Sequence, residues 1–241
     1  MTVAFCADVV AAWHASWLAA LGLRSERSDS VWRAVDAPPF IYFGAIALAP
    51  DVSATAVSET QGTVCDSWST LDLEPFGFVE RDRDGRAATA REPWFVRPAG
   101  PIPAGAVPPE LEVVRVSTPA EVAEFERVSV RGFGGDDAAV ETGSLHPASI
   151  LDDPRMTMLT GRVGGDAVAA AMSYRTDAVV GIYGVTTVAS ARGRGYGSAL
   201  TRALIDPVVP ASLSPSPEAE NLYRRLGFEQ VGALRQWQRP S

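Results

Sequence analysis

The sequence predicts a mixed α/β (α+β) fold. The chain has 241 residues, 46% of them apolar, which is enough for one large core or two modest ones. Runs rich in β-branched and aromatic residues alternate with runs of helical periodicity. One β-rich run, Val179–Val188, leads directly into a glycine-rich turn that opens a helix. Such alternation is typical of sheets flanked by helices.

Residues 1–97 are predicted to form a smaller α+β domain. The N-terminal run is apolar, but it carries Asp8 and His14 and lacks a basic start, which favours an amphipathic helix on a core over a signal peptide. A charged turn at residues 81–86 separates two predicted strands, Phe78–Glu80 and Trp94–Arg97. The residues that set the helical spacing are Val10, Trp13, Trp17 and Leu21.

Residues 98–109 hold too many prolines for a helix or a sheet ladder, so they predict a semi-rigid linker. The domain after it, residues 110–241, opens with a strand and then a helix running to about Arg131. Thr118 is the predicted N-cap of that helix and Glu121 completes a capping box. The further predicted elements are a hairpin around residues 164–166, a strand at 179–188, a helix at 196–205, an extended piece at 208–213, a helix at 217–226 and a strand at 228–237.

The glycine-rich turn from Arg192 to Ser198 is the main candidate for chemistry. Alternate glycines remove the Cβ atoms that would keep a ligand from the backbone, so successive N–H groups can face one concave site. The helix that starts there adds the positive end of its dipole, which suits a pyrophosphate. The alternative is a turn that only lets the helix pack closely on a strand. The candidate anion-binding residues are Arg192, Gly193, Arg194, Gly195, Tyr196, Gly197 and Ser198.

Two other motifs fit these residues less well. A dinucleotide site needs G-x-G-x-x-G and an acidic residue about 20 positions on, whereas Ser198 follows the alternating glycines and Glu218 opens a predicted helix. A serine hydrolase needs G-x-S-x-G and a base, and only His14 and His146 could supply the base.

The turn resembles motif A of the GNAT superfamily of N-acetyltransferases, where Arg192, Gly195 and Gly197 fill the coenzyme A loop. The run from Asn221 through Tyr223 to Gly227-Phe228 resembles the later Asn-x-Tyr-x-x-x-Gly-Phe signature of that family. The resemblance implies a mixed, mostly antiparallel central sheet flanked by helices in residues 110–241. It also implies transfer of the acetyl group of acetyl-CoA to a primary amine of a small molecule, peptide or protein.

The resemblance further implies roles for single residues. The backbone of Thr186, Thr187 and Val188 would bind the pantetheine arm, and Asn221 would contact the coenzyme. Tyr223 would protonate the leaving thiolate, because a phenol with a pKa near 10 keeps its proton at neutral pH.

The general base is left open. Residues 183–186 offer no carboxylate, and Glu141, His146 or a chain of water molecules are the alternatives.

Composition narrows the partners. The net charge is −8 and there is no basic run, which disfavours nucleic acid and anionic membranes. Cys6 and Cys65 lie far apart and near no histidine, so they predict neither a disulfide framework nor a metal site. We expect a cytoplasmic enzyme without a metal, which acts on a small-molecule or peptide amine and could form a homodimer. An acyl-CoA sensor or partner-binding module that has lost catalysis is the alternative function.

A short repeat links the two halves. Phe76-Gly77-Phe78 followed by Trp94 parallels Leu226-Gly227-Phe228 followed by Trp237. The first domain would then be a degenerate copy of the second, although it has no counterpart of the glycine-rich turn.

Overall fold

A computed structural model describes residues 2–82, 85–86, 88 and 91–240 of the chain. Within these residues it has four α-helices and twelve strands, which confirms the mixed α/β class. The helices are α1 Val3–Ala20, α2 Pro119–Gly134, α3 Tyr196–Leu204 and α4 Glu220–Arg225. The strands are β1 Ser25–Arg27, β2 Val31–Ala34, β3 Phe43–Ala47, β4 Thr63–Asp66, β5 Val79–Arg81, β6 Glu92–Arg97, β7 Glu112–Arg115, β8 Met156–Val163, β9 Asp166–Arg175, β10 Val180–Thr187, β11 Ala211–Leu213 and β12 Glu229–Gln238.

The described residues form two compact units. The first contains residues 2–96, 212–220 and 229–240, and the second contains 97–211 and 221–228. The proline-rich segment at 98–109 thus lies in the second unit, and β12 lies in the first. The domain boundaries drawn from the sequence, 1–97 and 110–241, stay a prediction.

In the first unit, the strands follow the order β1-β2-β3-β4-β12-β6, and β5 also pairs with β12. These pairings are antiparallel except for β3 with β4. Helix α1 is long and apolar enough to cross a membrane, yet it buries Cys6, Val10, His14 and Trp17 inside the unit, as the predicted core helix would. Two positions of the predicted charged turn, 83 and 84, lie outside the described residues.

A turn at the end of β4 is built around Asp66, which is fully buried. Its carboxylate accepts the backbone N–H groups of Thr70 and Leu71, both at 3.0 Å. The guanidinium of Arg235 on β12 lies 3.3 Å from the same carboxylate. The donors of this turn are therefore occupied by a side chain of the protein itself.

In the second unit, strands β7, β8, β9 and β10 form an antiparallel array in sequence order. The predicted hairpin around residues 164–166 joins β8 to β9. Helix α2 packs on one face, where Gly132 approaches Thr186, and α3 packs on the other, where Leu200 approaches Gly161. Strand β10 therefore lies between two helical layers.

Helix α2 begins at the predicted capping box. The Thr118 hydroxyl accepts the N–H of Glu121 at 3.3 Å, and the Glu121 carboxylate accepts the N–H of Thr118 at 2.9 Å. The helix continues to Gly134, three residues beyond the predicted end at Arg131. The close approach of Gly132 to Thr186 explains the extra turn, because tertiary packing supplies stability that glycine does not.

The proline-rich segment is attached to the second unit at several points. The N–H of Gly100 donates to the carbonyl oxygen of Pro207 at 2.8 Å. Buried Arg97 donates to the carbonyl oxygens of Leu226 and Gly100 at 3.1 and 3.0 Å. Pro108 lies beside Gly195, since a Cβ on that glycine would be 3.7 Å from the proline ring. These contacts hold the segment in place.

The short repeat has the same backbone geometry in both units. Gly77 and Gly227 both have positive φ, 80° and 86°. The following phenylalanines donate their N–H groups five residues back, from Phe78 to Leu73 and from Phe228 to Tyr223, as in a Schellman motif. Duplication of the fold stays a prediction, and this shared geometry adds a structural likeness to the likeness of sequence.

Candidate active site

Strand β10 contains a bulge in its middle. Tyr183 pairs with Met172 and Thr186 pairs with Ala170, so Gly184 and Val185 together oppose one residue of β9. Gly184 has a φ of 60°, which favours glycine. A bulge leaves its extra residue out of the ladder, so backbone polar groups of β10 are available here for a ligand. A glycine inside a β-rich run was the sequence signal for this feature.

The glycine-rich turn that follows β10 ends in an open helix terminus. Gly193 and Gly195 have φ values of 78° and 84°, and a Cβ on Gly193 would meet no atom within 4 Å. The first hydrogen bond of α3 runs from the N–H of Ala199 to the carbonyl oxygen of Gly195 at 3.0 Å. The N–H groups of residues 196–198 precede that bond and point out of the helix end, as an anion site requires.

Arg192 is fixed by backbone contacts on both sides of the turn. Its Nε donates to the carbonyl oxygen of Thr187 at 3.0 Å, and its Nη2 donates to that of Gly132 at 2.7 Å. Neither partner is an acid, so the positive charge is retained beside the helix terminus. Gly132 was not singled out from the sequence, because its role depends on a contact between α2 and the turn.

The other side chains of the turn have different roles. Tyr196 is buried and its hydroxyl donates to the Glu110 carboxylate at 2.8 Å. This hydrogen bond helps to lower the pKa of Glu110. Burial, together with the same hydrogen bond, raises the pKa of Tyr196. Ser198 accepts a hydrogen bond from Arg202 at 2.9 Å. Arg194 is exposed. Tyr196 therefore contributes its backbone N–H to the terminus while its side chain holds the fold.

The three residues at the end of β10 offer mainly backbone groups. Thr186 and Val188 are 7% and 6% exposed. The Val188 N–H donates to the carbonyl oxygen of Val168 at 2.9 Å, and the Thr187 carbonyl accepts from Arg192. These two backbone groups are therefore already bonded within the protein, and the role of the three residues in binding the pantetheine arm stays a prediction.

Tyr223 lies on the buried face of α4 and is 6% exposed. Its ring meets Phe228 edge to face with the centroids 5.8 Å apart. The predicted core face contained Leu222 and Leu226 with Tyr223 at its border, but Tyr223 is buried and Leu222 is only half-buried. The helix is short, and the turn at Gly227 directs Phe228 onto Tyr223. Asn221 is exposed.

The candidate bases lie in different environments. Glu141 is exposed, whereas His146 is buried beside Phe125, with Nδ1 3.8 Å from the Glu126 carboxylate. Burial would raise the pKa of Glu126, but the adjacent His146 side chain and hydrogen bonds from the backbone N–H groups of Gly143, Leu145 and His146 lower it to about 2. Glu126 thus holds the loop after α2. Its place on the apolar face of α2, one turn after Val122, was the sequence signal for a buried carboxylate.

Comparison with known proteins agrees with this geometry. Residues 125–228 match the acetyltransferase (GNAT) family. No curated protein matches the chain. Among solved structures, a GCN5-related N-acetyltransferase from Kribbella flavida has a TM-score of 0.63 and 19% identity, covering 97% of this chain and 96% of its own.

Two further solved structures have the same fold over most of their length. A GNAT-family protein from Novosphingobium aromaticivorans has a TM-score of 0.58 and 20% identity, covering 90% of this chain and 92% of its own. A conserved protein of unknown function from Staphylococcus epidermidis has a TM-score of 0.59 and 12% identity, with coverage of 90% and 93%. At these identities the likeness concerns the fold. With the bulged strand and the open terminus of α3, the family match shows that residues 125–228 form a GNAT acetyltransferase domain.

Proposed function

We propose that the second unit transfers the acetyl group of acetyl-CoA to a primary amine of a small molecule, peptide or protein. The observation that carries the proposal is the open terminus of α3, directly after the bulged strand β10. A pyrophosphate fits three outward N–H groups beside a guanidinium, and an extended arm fits the edge of a strand that leads away from them.

Each part of the site has a task in this reaction. The N–H groups of residues 196–198 hold the pyrophosphate, and Arg192 adds charge. Backbone groups at Gly184 and Val185 donate to the thioester oxygen as negative charge develops on it. Tyr223 protonates the leaving thiolate. The proton of the attacking amine leaves through water or through His146.

The proposal includes a cytoplasmic, metal-free enzyme. Both cysteines are buried, and burial raises the pKa of Cys6 to about 12 and also raises that of Cys65. Thiols in this state stay protonated and unreactive, which suits a reducing compartment.

Calorimetry with acetyl-CoA, together with a thiol-release assay over a panel of primary amines, tests the proposal. We expect binding and release of free coenzyme A with at least one amine. Binding without release would favour the acyl-CoA sensor, and absence of binding would refute both functions.

A matched pair of glycine variants locates the binding site. Gly193→Ala and Gly165→Ala both place a Cβ at positive φ, 78° and 93°, with no atom within 4 Å. The backbone strain is therefore similar in the two variants. Gly193 lies in the glycine-rich turn and Gly165 in the hairpin between β8 and β9. Only Gly193→Ala should therefore weaken acetyl-CoA binding, by about tenfold.

A further inference from the structure

We infer that Met172 limits the acyl group to a short chain, so that the enzyme discriminates acetyl-CoA from butyryl-CoA. This inference rests on the proposed function and names a residue that determines its donor specificity. Met172 lies on β9, directly opposite the residue that precedes the bulge of β10.

The side chain of Met172 closes the space against the bulge. A Cβ on Gly184 would lie 2.9 Å from Met172 Cε, so the methyl group packs directly on the backbone of the bulge. Met172 is 4% exposed, and the neighbouring Ala170 is fully buried. The flexible thioether thus fills volume that the small residues around it leave open.

The bulge is the place on β10 where a reacting carbonyl can be held. Strand residues advance about 3.3 Å each, so Gly184 lies about 10 Å from Thr187, where β10 ends ahead of the glycine-rich turn. Between them, Thr186 packs closely against Gly132 and leaves no room for a ligand on that face. The interruption of the β9 ladder at Gly184 and Val185 is the first opening along the strand.

An acyl chain held at that opening meets the methyl group of Met172. An acetyl group ends at its own methyl, whereas a butyryl group carries further methylenes that need the volume of the thioether. One methylene in a closed apolar pocket changes selectivity by roughly tenfold or more.

The test is calorimetry of the full chain with acetyl-CoA, butyryl-CoA and coenzyme A. We expect the wild-type protein to bind butyryl-CoA about tenfold more weakly than acetyl-CoA or worse. Met172→Ala should bring the two affinities within about twofold while acetyl-CoA binding changes little, because the cavity admits the longer chain.

Met158→Ala is the matched control. Met158 is 2% exposed and pairs with Met172 from the far side, on β8. The same truncation there removes similar buried volume without opening the bulge, so the preference for acetyl-CoA should persist. Met172→Leu nearly conserves volume and should also keep the preference. If Met172→Ala does not fold, Met172→Val opens part of the same space and should relax the preference partly.

Three outcomes would overturn the inference. They are equal binding of acetyl-CoA and butyryl-CoA by the wild type, an unchanged preference in the folded Met172 variant, or equal relaxation by Met158→Ala. Each leaves acetyl-CoA binding intact and so leaves the proposed function standing. Absence of acetyl-CoA binding by the wild type would instead refute the proposed function, and this inference with it.

Discussion

The two units end a strand in opposite ways. After β4 of the first unit, the carboxylate of Asp66 accepts the N–H groups of Thr70 and Leu71. After β10 of the second unit, the N–H groups at the start of α3 point outward, and the guanidinium of Arg192 lies beside them without an acidic partner among its hydrogen bonds. A turn with its own buried anion is complete by itself, whereas a turn with unused donors is completed by a ligand.

The Schellman turns differ in the same sense. Leu73 supplies the accepting carbonyl in the first unit and Tyr223 supplies it in the second. The backbone geometry is shared, but the residue at this position carries a phenol hydroxyl in the second unit and an aliphatic side chain in the first. All six tryptophans lie in the first unit, namely Trp13, Trp17, Trp32, Trp68, Trp94 and Trp237. Tryptophan fluorescence therefore reports on the first unit, whereas the proposed binding of acetyl-CoA reports on the second.

The largest expected effect comes from removing the buried carboxylate of Asp66. Asp66→Ala removes the buried carboxylate that accepts two backbone N–H groups and pairs with the half-buried guanidinium of Arg235, and should lower the free energy of unfolding by about 4 kcal/mol. Urea unfolding followed by tryptophan fluorescence measures this. Asp36→Ala, which removes the exposed ion pair with Arg24, should leave the midpoint nearly unchanged. An equally large effect of both variants would break the comparison.

As the pH is lowered, the first unit should lose stability at a higher pH than the second. Burial lowers the pKa of His14 to about 4 from 6.5, so the unfolded chain binds its proton first. Above pH 6.5 His14 is neutral in both the folded and the unfolded chain, and the free energy of unfolding is unaffected by it. As the pH falls from 6.5 to 4, protonation of the unfolded chain lowers the free energy of unfolding by about 3 kcal/mol. For Glu126 the corresponding loss lies between about pH 4.5 and 2.

Tryptophan-detected urea unfolding between pH 7 and 4 measures the His14 effect. His14→Gln should flatten this part of the profile, because glutamine can still donate to the Val10 carbonyl but does not titrate. An unchanged slope in that variant would assign the dependence to another group.

Tyr223→Phe removes the hydroxyl that distinguishes the second Schellman turn from the first. We expect kcat to fall about 100-fold with acetyl-CoA affinity nearly unchanged, since only proton donation is lost. Tyr223→Leu, which copies the residue of the first unit, should give the same loss with lower stability. Steady-state kinetics and calorimetry separate the two parameters, and a collapse of affinity in Tyr223→Phe would mark Tyr223 as a packing residue.

The smallest expected effect comes from giving the second unit an anion of its own. Ser198→Asp places a carboxylate in the first turn of α3, where it should raise the dissociation constant of acetyl-CoA about 30-fold by repelling the pyrophosphate. The same charge favours the helix terminus by about 0.5 kcal/mol, so stability should not fall. Ser198→Asn is the uncharged control, and equal weakening by both variants would contradict the electrostatic account.

Local patterns predicted the elements whose causes are local. The capping box at Thr118 and Glu121, the hairpin at residues 164–166 and the strand leading into Arg192 are each specified by a few adjacent residues. The details of the site depend on distant contacts. The guanidinium of Arg192 donates to the carbonyl oxygen of Gly132. Met172 on β9 contacts Gly184 on the adjacent strand β10. Glu126 accepts hydrogen bonds from a loop about 20 residues later in the chain. Such contacts have no periodic signature, so the sequence predicted the positions of the turn but not its neighbours.

The position of β12 has a consequence for synthesis of the chain. Strand β12 pairs with β4, β5 and β6, so the first unit needs residues 229–238 to finish its sheet. Domains emerging from the ribosome usually fold in the order of their synthesis. Here the sheet of the N-terminal residues stays incomplete, with the edge of β4 and Asp66 uncovered, until residues 229–238 have been translated.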